Sequence, residues 1–130
     1  MKRRRFITLA AATAATATTM FTGCSSSAAL SAGEILHTVI FDLKHRAGSP
    51  EATKFIDDAR RILTAIAGVR NFCAYRQCSP KNDYEYGFHM TFSNQAAFDA
   101  YSAHPDHVAF VHKRWDVEVS RFQESDFMAL

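Results

Sequence analysis

Residues 36–43 alternate without a break, with His37, Val39, Phe41 and Leu43 on one side and Leu36, Thr38, Ile40 and Asp42 on the other. This period-two order, rich in β-branched and aromatic residues, dictates a β-strand. Both sides carry apolar side chains, so the strand belongs to a sheet that needs a cover on each face. One cover must come from this chain. The other implies a partner.

The following residues supply the first cover. Ser49-Pro50 gives an N-cap and a proline at the first helical position. Ala52, Phe55, Ile56, Ala59, Ile62, Leu63 and Ile66 recur at helical spacing opposite Lys54, Asp57, Asp58, Arg61 and Thr64, and Gly68 stops the helix. The charges Asp57, Asp58, Arg60 and Arg61 read as a solvated face. Two further strands, 71–78 and 84–92, flank the turn-rich Ser79-Pro80-Lys81-Asn82-Asp83. The second of them aligns Tyr84, Tyr86, Phe88, Met90 and Phe92, a stripe that reads as core or dimer contact. Ser93 or Asn94 caps a helix to about 103, Pro105 opens another to about 115, and 117–127 supplies a last strand. The order β-α-β-β-α-α-β predicts an α+β, ferredoxin-like sandwich with helices on one sheet face. The apolar second face predicts a homodimer.

The chain has 130 residues and a formal charge of +2. Lys2, Arg3, Arg4 and Arg5 lie in a leader-like segment, and without residues 1–23 there remain 11 basic against 13 acidic side chains. That balance argues against nucleic acid as a partner, because phosphate binding needs a basic face. Residues 1–23 read as an export signal: a basic start, a weakly apolar Ala/Thr-rich middle and small residues before Cys24. Arg3-Arg4-Arg5-Phe6-Ile7 fits the twin-arginine pattern. Phe21-Thr22-Gly23-Cys24 resembles a bacterial lipobox, which makes Cys24 the lipidation site and places the chain in the cell envelope, facing the periplasm or the exterior. Ser25 after the cysteine favours the outer membrane by the same resemblance. Residues 24–34 are then a flexible tether, and 35–128 the folded domain.

His37-Thr38-Val39-Ile40-Phe41, Ala67-Gly68-Val69-Arg70, the segment Ala100-Tyr101-Ser102-Ala103-His104-Pro105-Asp106-His107-Val108 and Asp126-Phe127 together resemble the stress-responsive dimeric α+β barrel (Dabb) domain family. The resemblance covers about residues 36–127. It implies two ferredoxin-like subunits whose sheets form a barrel. One plant member is a polyketide cyclase, and by position its tyrosine and histidine correspond to Tyr101 and His107, its first-strand histidine to His37, and its apolar wall to Val39 and Phe41. Its late tryptophan does not align with Trp115, because this chain carries extra residues before the last strand.

Three functions follow as expectations. The first is a membrane-anchored barrel that binds a small apolar or aromatic molecule, lined by His37, Val39, Phe41, Tyr101 and His107. The second is a cyclase- or lyase-type enzyme, with His107 as base and Tyr101 as hydrogen-bond donor. The third is a structural module whose dimer face does the work. In the bland reading, His107 braces a helix junction and the Tyr101 hydroxyl bonds a backbone carbonyl. His104, His107 and His112, with His89, are candidate metal ligands, but Pro105 interrupts their helix and no Asp/Glu/His set completes a familiar spacing, so no metal is expected, and no cofactor is expected either. Cys73 and Cys78, five apart on one strand, would face opposite ways ~16 Å apart. That is too far for a disulfide between them; they read as buried small apolar residues, with a disulfide across the dimer as the alternative in an oxidising compartment.

Overall fold

The computed structural model describes residues 29–130. The expected export signal, the expected lipidation site Cys24 and the serines after it lie outside the described residues. Nine elements follow in order: β1 (Ile35–Leu43), α1 (Pro50–Thr64), β2 (Arg70–Arg76), β3 (Tyr86–Phe92), α2 (Gln95–Ser102), α3 (Pro105–Phe110), a π-helical turn (Val111–Trp115), the short α4 (Asp116–Glu118) and β4 (Val119–Phe127). The strands form one antiparallel sheet in the order β2-β3-β1-β4. This is the expected ferredoxin-like α+β sandwich.

Strand β1 runs through the middle and buries every second residue from Ile35 to Leu43. Its register sets His37 against Met90 on one side and Asp126 on the other, and Phe41 against Tyr86 and Phe122. The same pleat faces the helices across all three strands. Helix α1 starts where expected: the Ser49 hydroxyl accepts from the amide of Ala52 at 3.2 Å, and Pro50 follows. Ala52, Phe55, Ala59 and Leu63 form its buried stripe, each large side chain contributing about 1.5–3 kcal/mol of burial. The helix ends at Thr64 and not beside Gly68, which instead makes the turn into β2 at φ +92°.

Several boundaries moved for local reasons. Strand β2 stops at Arg76 because the Gln77 amide donates to Asn82 and to the carbonyl of Tyr84, organising the loop. Cys73 is therefore buried within β2, whereas Cys78 lies beyond it and is exposed, against the expectation that both are buried. Tyr84 also falls outside β3, and its ring lies under the Arg121 guanidinium at 4.5 Å. Asn71 holds a left-handed conformation (φ 52°) at the irregularity between Arg70 and Cys73, with its amide bonded to the Thr91 hydroxyl at 2.9 Å. Asparagine tolerates that region better than most residues. The last part of the expected tether is also built: Ser31 and Glu34 close a turn, and Glu34 pairs with Arg70.

The second helical region differs most from expectation. It continues past Trp115 to Glu118, and its third turn is π-helical. This turn directs Arg114 toward α1, where Nη1 bonds Asp58 at 2.6 Å, while Nε bonds Glu118. Asp58 also bonds Lys54 and Arg61. Its side chain is only 14% exposed, so it is a cross-helix anchor and not part of a solvated face. Lys54 first, then Arg114, hold its carboxyl far below the ordinary carboxylate range. Burial raises the Glu118 pKa, but bonds from Arg114 and His45 outweigh it and the net shift is downward. Carboxylates depressed in the folded state add stability above their unfolded pKa of about 4 and lose it as pH falls below that value. Arg114→Ala is thus expected to cost about 2 kcal/mol at pH 7. The difference from wild type should shrink at pH 3, as read by urea denaturation at both pH values. A constant difference across that range would show that Arg114 acts through packing alone.

Candidate functional site

Between the sheet and the helices lies a cavity of about 200 Å³. The sheet contributes His37, Phe88, Met90, Phe122 and Glu124, and the helical side contributes Leu63, Tyr101, His107, Phe110, Val111, Trp115 and Asp116. A ~150 Å³ apolar cavity accepts benzene, so this one accommodates a single substituted ring.

Three of the expected site residues meet here. The rings of Tyr101 and His107 lie 4.4 Å apart, and those of His37 and Tyr101 6.2 Å apart. Pro105 does not separate Tyr101 from His107; it turns the chain so that α3 folds His107 back over Tyr101. His107 Nδ1 donates to the Ser102 carbonyl at 3.1 Å, bracing the α2–α3 junction as the bland reading had it. That bond fixes the tautomer and leaves Nε2 as the lone-pair nitrogen. Burial is the largest influence on its pKa and carries the net shift downward, which favours the neutral ring. Tyr101 is 2% exposed. Tyr101 lines the cavity, and its hydroxyl bonds no described residue, a backbone carbonyl included. Burial, and next the Glu124 carboxylate, push the phenol well above its usual pKa.

Val39 and Phe41 are placed differently. Both are buried in the hydrophobic core, Phe41 at 0% exposure, and neither lines the cavity. The walls that the sequence reading assigned to them are made by Phe88, Phe110, Phe122 and Trp115. Trp115 contacts Phe41 at 5.0 Å and Phe122 at 5.5 Å between ring centroids, so it forms the rear wall despite its shifted sequence position.

Two carboxylates were missed. His37 Nδ1 donates to Asp126 Oδ1 at 2.6 Å, and Glu124 Oε1 lies 3.8 Å from the same nitrogen. The signal was present in the alternation of β4, where Phe122, Glu124 and Asp126 share the helix-facing pleat and put acids where the other strands carry apolar residues. His37, Glu124 and Asp126 also form a group whose potential ligand atoms lie within 4.8 Å of one another. Two ligand atoms ~2.1 Å from a tetrahedral zinc would lie about 3.4 Å apart, so the 2.6 Å contact shares a proton and does not fit a shared cation. The histidines that the sequence offers as a cluster are dispersed: His104 caps α3, His112 pairs with Asp116, and His89 sits on the opposite sheet face against Tyr75.

Comparison with known proteins agrees with this fold. A Dabb family protein of ferredoxin-like fold from Mesorhizobium loti MAFF303099 is 53% identical, with a TM-score of 0.74 over 75% of this chain and 98% of that one. A dimeric ferredoxin-like protein of unknown function from Thermobifida fusca YX is 18% identical (TM-score 0.62, 77% of this chain, 94% of that one). The hydroxynitrile lyase of Passiflora edulis is 12% identical (TM-score 0.65, 75% and 94%). The last two share the fold alone. No curated protein matches the chain. The model of the stress responsive A/B barrel domain matches residues 35–129. Matched over nearly the whole described fold and 53% identical to a solved member across 75% of its length, the chain belongs to the stress responsive A/B barrel domain (Dabb) family.

Proposed function

We propose that this protein is an exported, lipid-anchored homodimer whose subunits each bind a small apolar or aromatic molecule in the cavity between sheet and helices. The observation that carries the binding role is the cavity itself: a volume of about 200 Å³, walled by aromatic rings, among them one buried tyrosine whose hydroxyl bonds no described residue. Its polar groups converge on one end, as in pockets that orient a ligand. The dimer is supported by the outer sheet face, where Leu36 pairs with Phe127 in register beside Thr38 and Ile40. Phe127 and Tyr75 there are 52% and 49% exposed. The anchor is supported by the leader and by Cys24 in its lipobox setting. Several acyl chains, at ~0.8 kcal/mol per buried CH2, would hold the domain on a membrane.

Native mass spectrometry of the full chain, extracted from a bacterial membrane in mild detergent, tests all three parts at once. The expected species is a dimer whose subunits start at Cys24, carry acyl mass on that residue and retain a small non-covalent ligand. A monomer of unprocessed mass would overturn the reading.

A second reading, a lyase-type enzyme, is favoured by the His37–Asp126 pair. A base held in place by a carboxylate is the usual arrangement of catalytic histidines. With Nδ1 committed to Asp126, the His37 Nε2 is free to take a proton, and Tyr101 can donate to the developing oxyanion. His37, and not His107, is then the base. The reaction suggested by the Passiflora neighbour is cyanohydrin cleavage: the base takes the hydroxyl proton, the carbon–carbon bond breaks with its electron pair leaving on cyanide, and protonation releases hydrogen cyanide beside the aldehyde.

A further inference from the structure

The cavity is both aromatic and acidic. Glu124 and Asp116 stand in its wall, and among the described residues none lining it is lysine or arginine. Arg114 and Arg121, each next along the chain to a lining residue, are turned away, the first to Asp58 and Glu118 and the second to Asp42 and Asp83. Asp116 has His112 as its partner, 3.2 Å away. Glu124 has no such match. The basic atom within reach is Nδ1 of His37 at 3.8 Å, and its proton already goes to Asp126. Next to this carboxylate lie the rings of Trp115 and Phe122, whose faces attract cations through their quadrupoles. Tyr101, a residue only 2% exposed whose hydroxyl bonds no described residue, lines the same space.

We infer that the molecule this site accepts is a small organic cation: an ammonium group on a single ring-sized apolar body. The inference rests on the binding role proposed above and names the ligand class. The ring occupies the deep aromatic part, and the ammonium sits at the mouth against Glu124, whose side chain is 48% exposed. That position leaves the charge partly hydrated and avoids the cost of burying it unpaired. An anion of the same shape would meet carboxylates and no compensating cation. The site is built to reject carboxylic acids and phosphates.

Trp115 is the one tryptophan of the chain, and it lines the cavity, so its fluorescence reports occupancy. The experiment is a titration of the full chain in detergent with three near-isosteric probes at pH 7: benzylamine, benzyl alcohol and benzoate. Benzylamine, protonated at this pH, is expected to bind about tenfold more tightly than benzyl alcohol, and benzoate not to saturate. The preference should shrink at high salt, because the carboxylate is near solvent. Glu124→Gln should bring benzylamine down to the level of benzyl alcohol. Equal binding of benzylamine and benzyl alcohol, or a preference that survives Glu124→Gln, would overturn the cation assignment and leave the cavity's binding role standing. Failure of all three probes to bind would remove both.

Discussion

Replacing Phe41 with alanine is expected to lower the unfolding free energy by about 3–5 kcal/mol. Phe41 has no solvent exposure, and its ring meets those of Phe55, Tyr86, Phe88 and Trp115 at centroid distances of 6.1, 5.7, 4.7 and 5.0 Å. These four come from α1, from β3 and from the π-helical turn, so one ring holds both layers together. Alanine would leave a void that rigid neighbours fill only in part, which adds a cavity cost to the lost burial. For a domain of this size the midpoint of thermal unfolding should fall by roughly 15–30 °C. Phe122→Ala, which removes a half-exposed cavity wall, should cost less than about 1.5 kcal/mol. Thermal melts followed by circular dichroism compare the two. A Phe41 variant that melts within a few degrees of wild type yet no longer holds ligand would return Phe41 to the pocket wall.

The second large effect concerns His37. On the enzymatic reading, His37→Ala is expected to reduce the carbon–carbon cleavage rate by about 10²–10⁴. Asp126→Asn should give a smaller loss, because the amide still holds the ring but no longer stabilises its protonated form. The order separates His37 from His107, which shares the cavity and carries its own free Nε2. His107→Ala should act mainly by loosening the junction between α2 and α3, raising KM more than it lowers kcat. If His107→Ala instead abolishes turnover while His37→Ala spares it, the base is His107, and the His37–Asp126 pair is structural.

The sequence made much of this legible, and the reasons differ by element. Strand β1 and helix α1 announced themselves because each is long, buried on a definite stripe and bounded by residues with one structural use, such as Ser49-Pro50. The cap of α2 was legible to within one residue, Ser93 or Asn94, for the same reason: the Asn94 side chain accepts from the amide of Ala97, and few residue types can do that. Strand ends in the β2–β3 loop were less legible, since Gln77 and Asn82 satisfy the backbone through side-chain bonds that leave no periodic trace. Asp58 looked like a surface charge because its cation, Arg114, lies 56 positions away. The site was readable through His37, Tyr101 and His107, because the family resemblance carried them. Val39 and Phe41 lie in the core and not on this cavity, since alternation tells which face a residue takes but not whether that face meets a ring or a space. Asp126 and Glu124 became visible only when the register of β4 against β1 set them beside His37.

The π-helical turn has a consequence for how this pocket can change over generations. An α-helix advances each residue by ~100° about its axis, so one residue gained or lost upstream would normally swing every later side chain around the helix. A π turn absorbs such an insertion locally. Here it lies at Val111–Trp115, so the indole that closes the cavity sits at the end of the absorbing segment. Loss of one residue from that turn would carry Trp115 out of its place beside Phe41 and Phe122, opening the rear of the cavity while the lining residues of the sheet stayed as they are. Helix length, and not side-chain identity alone, is thus a heritable dial on the size of molecule the site admits.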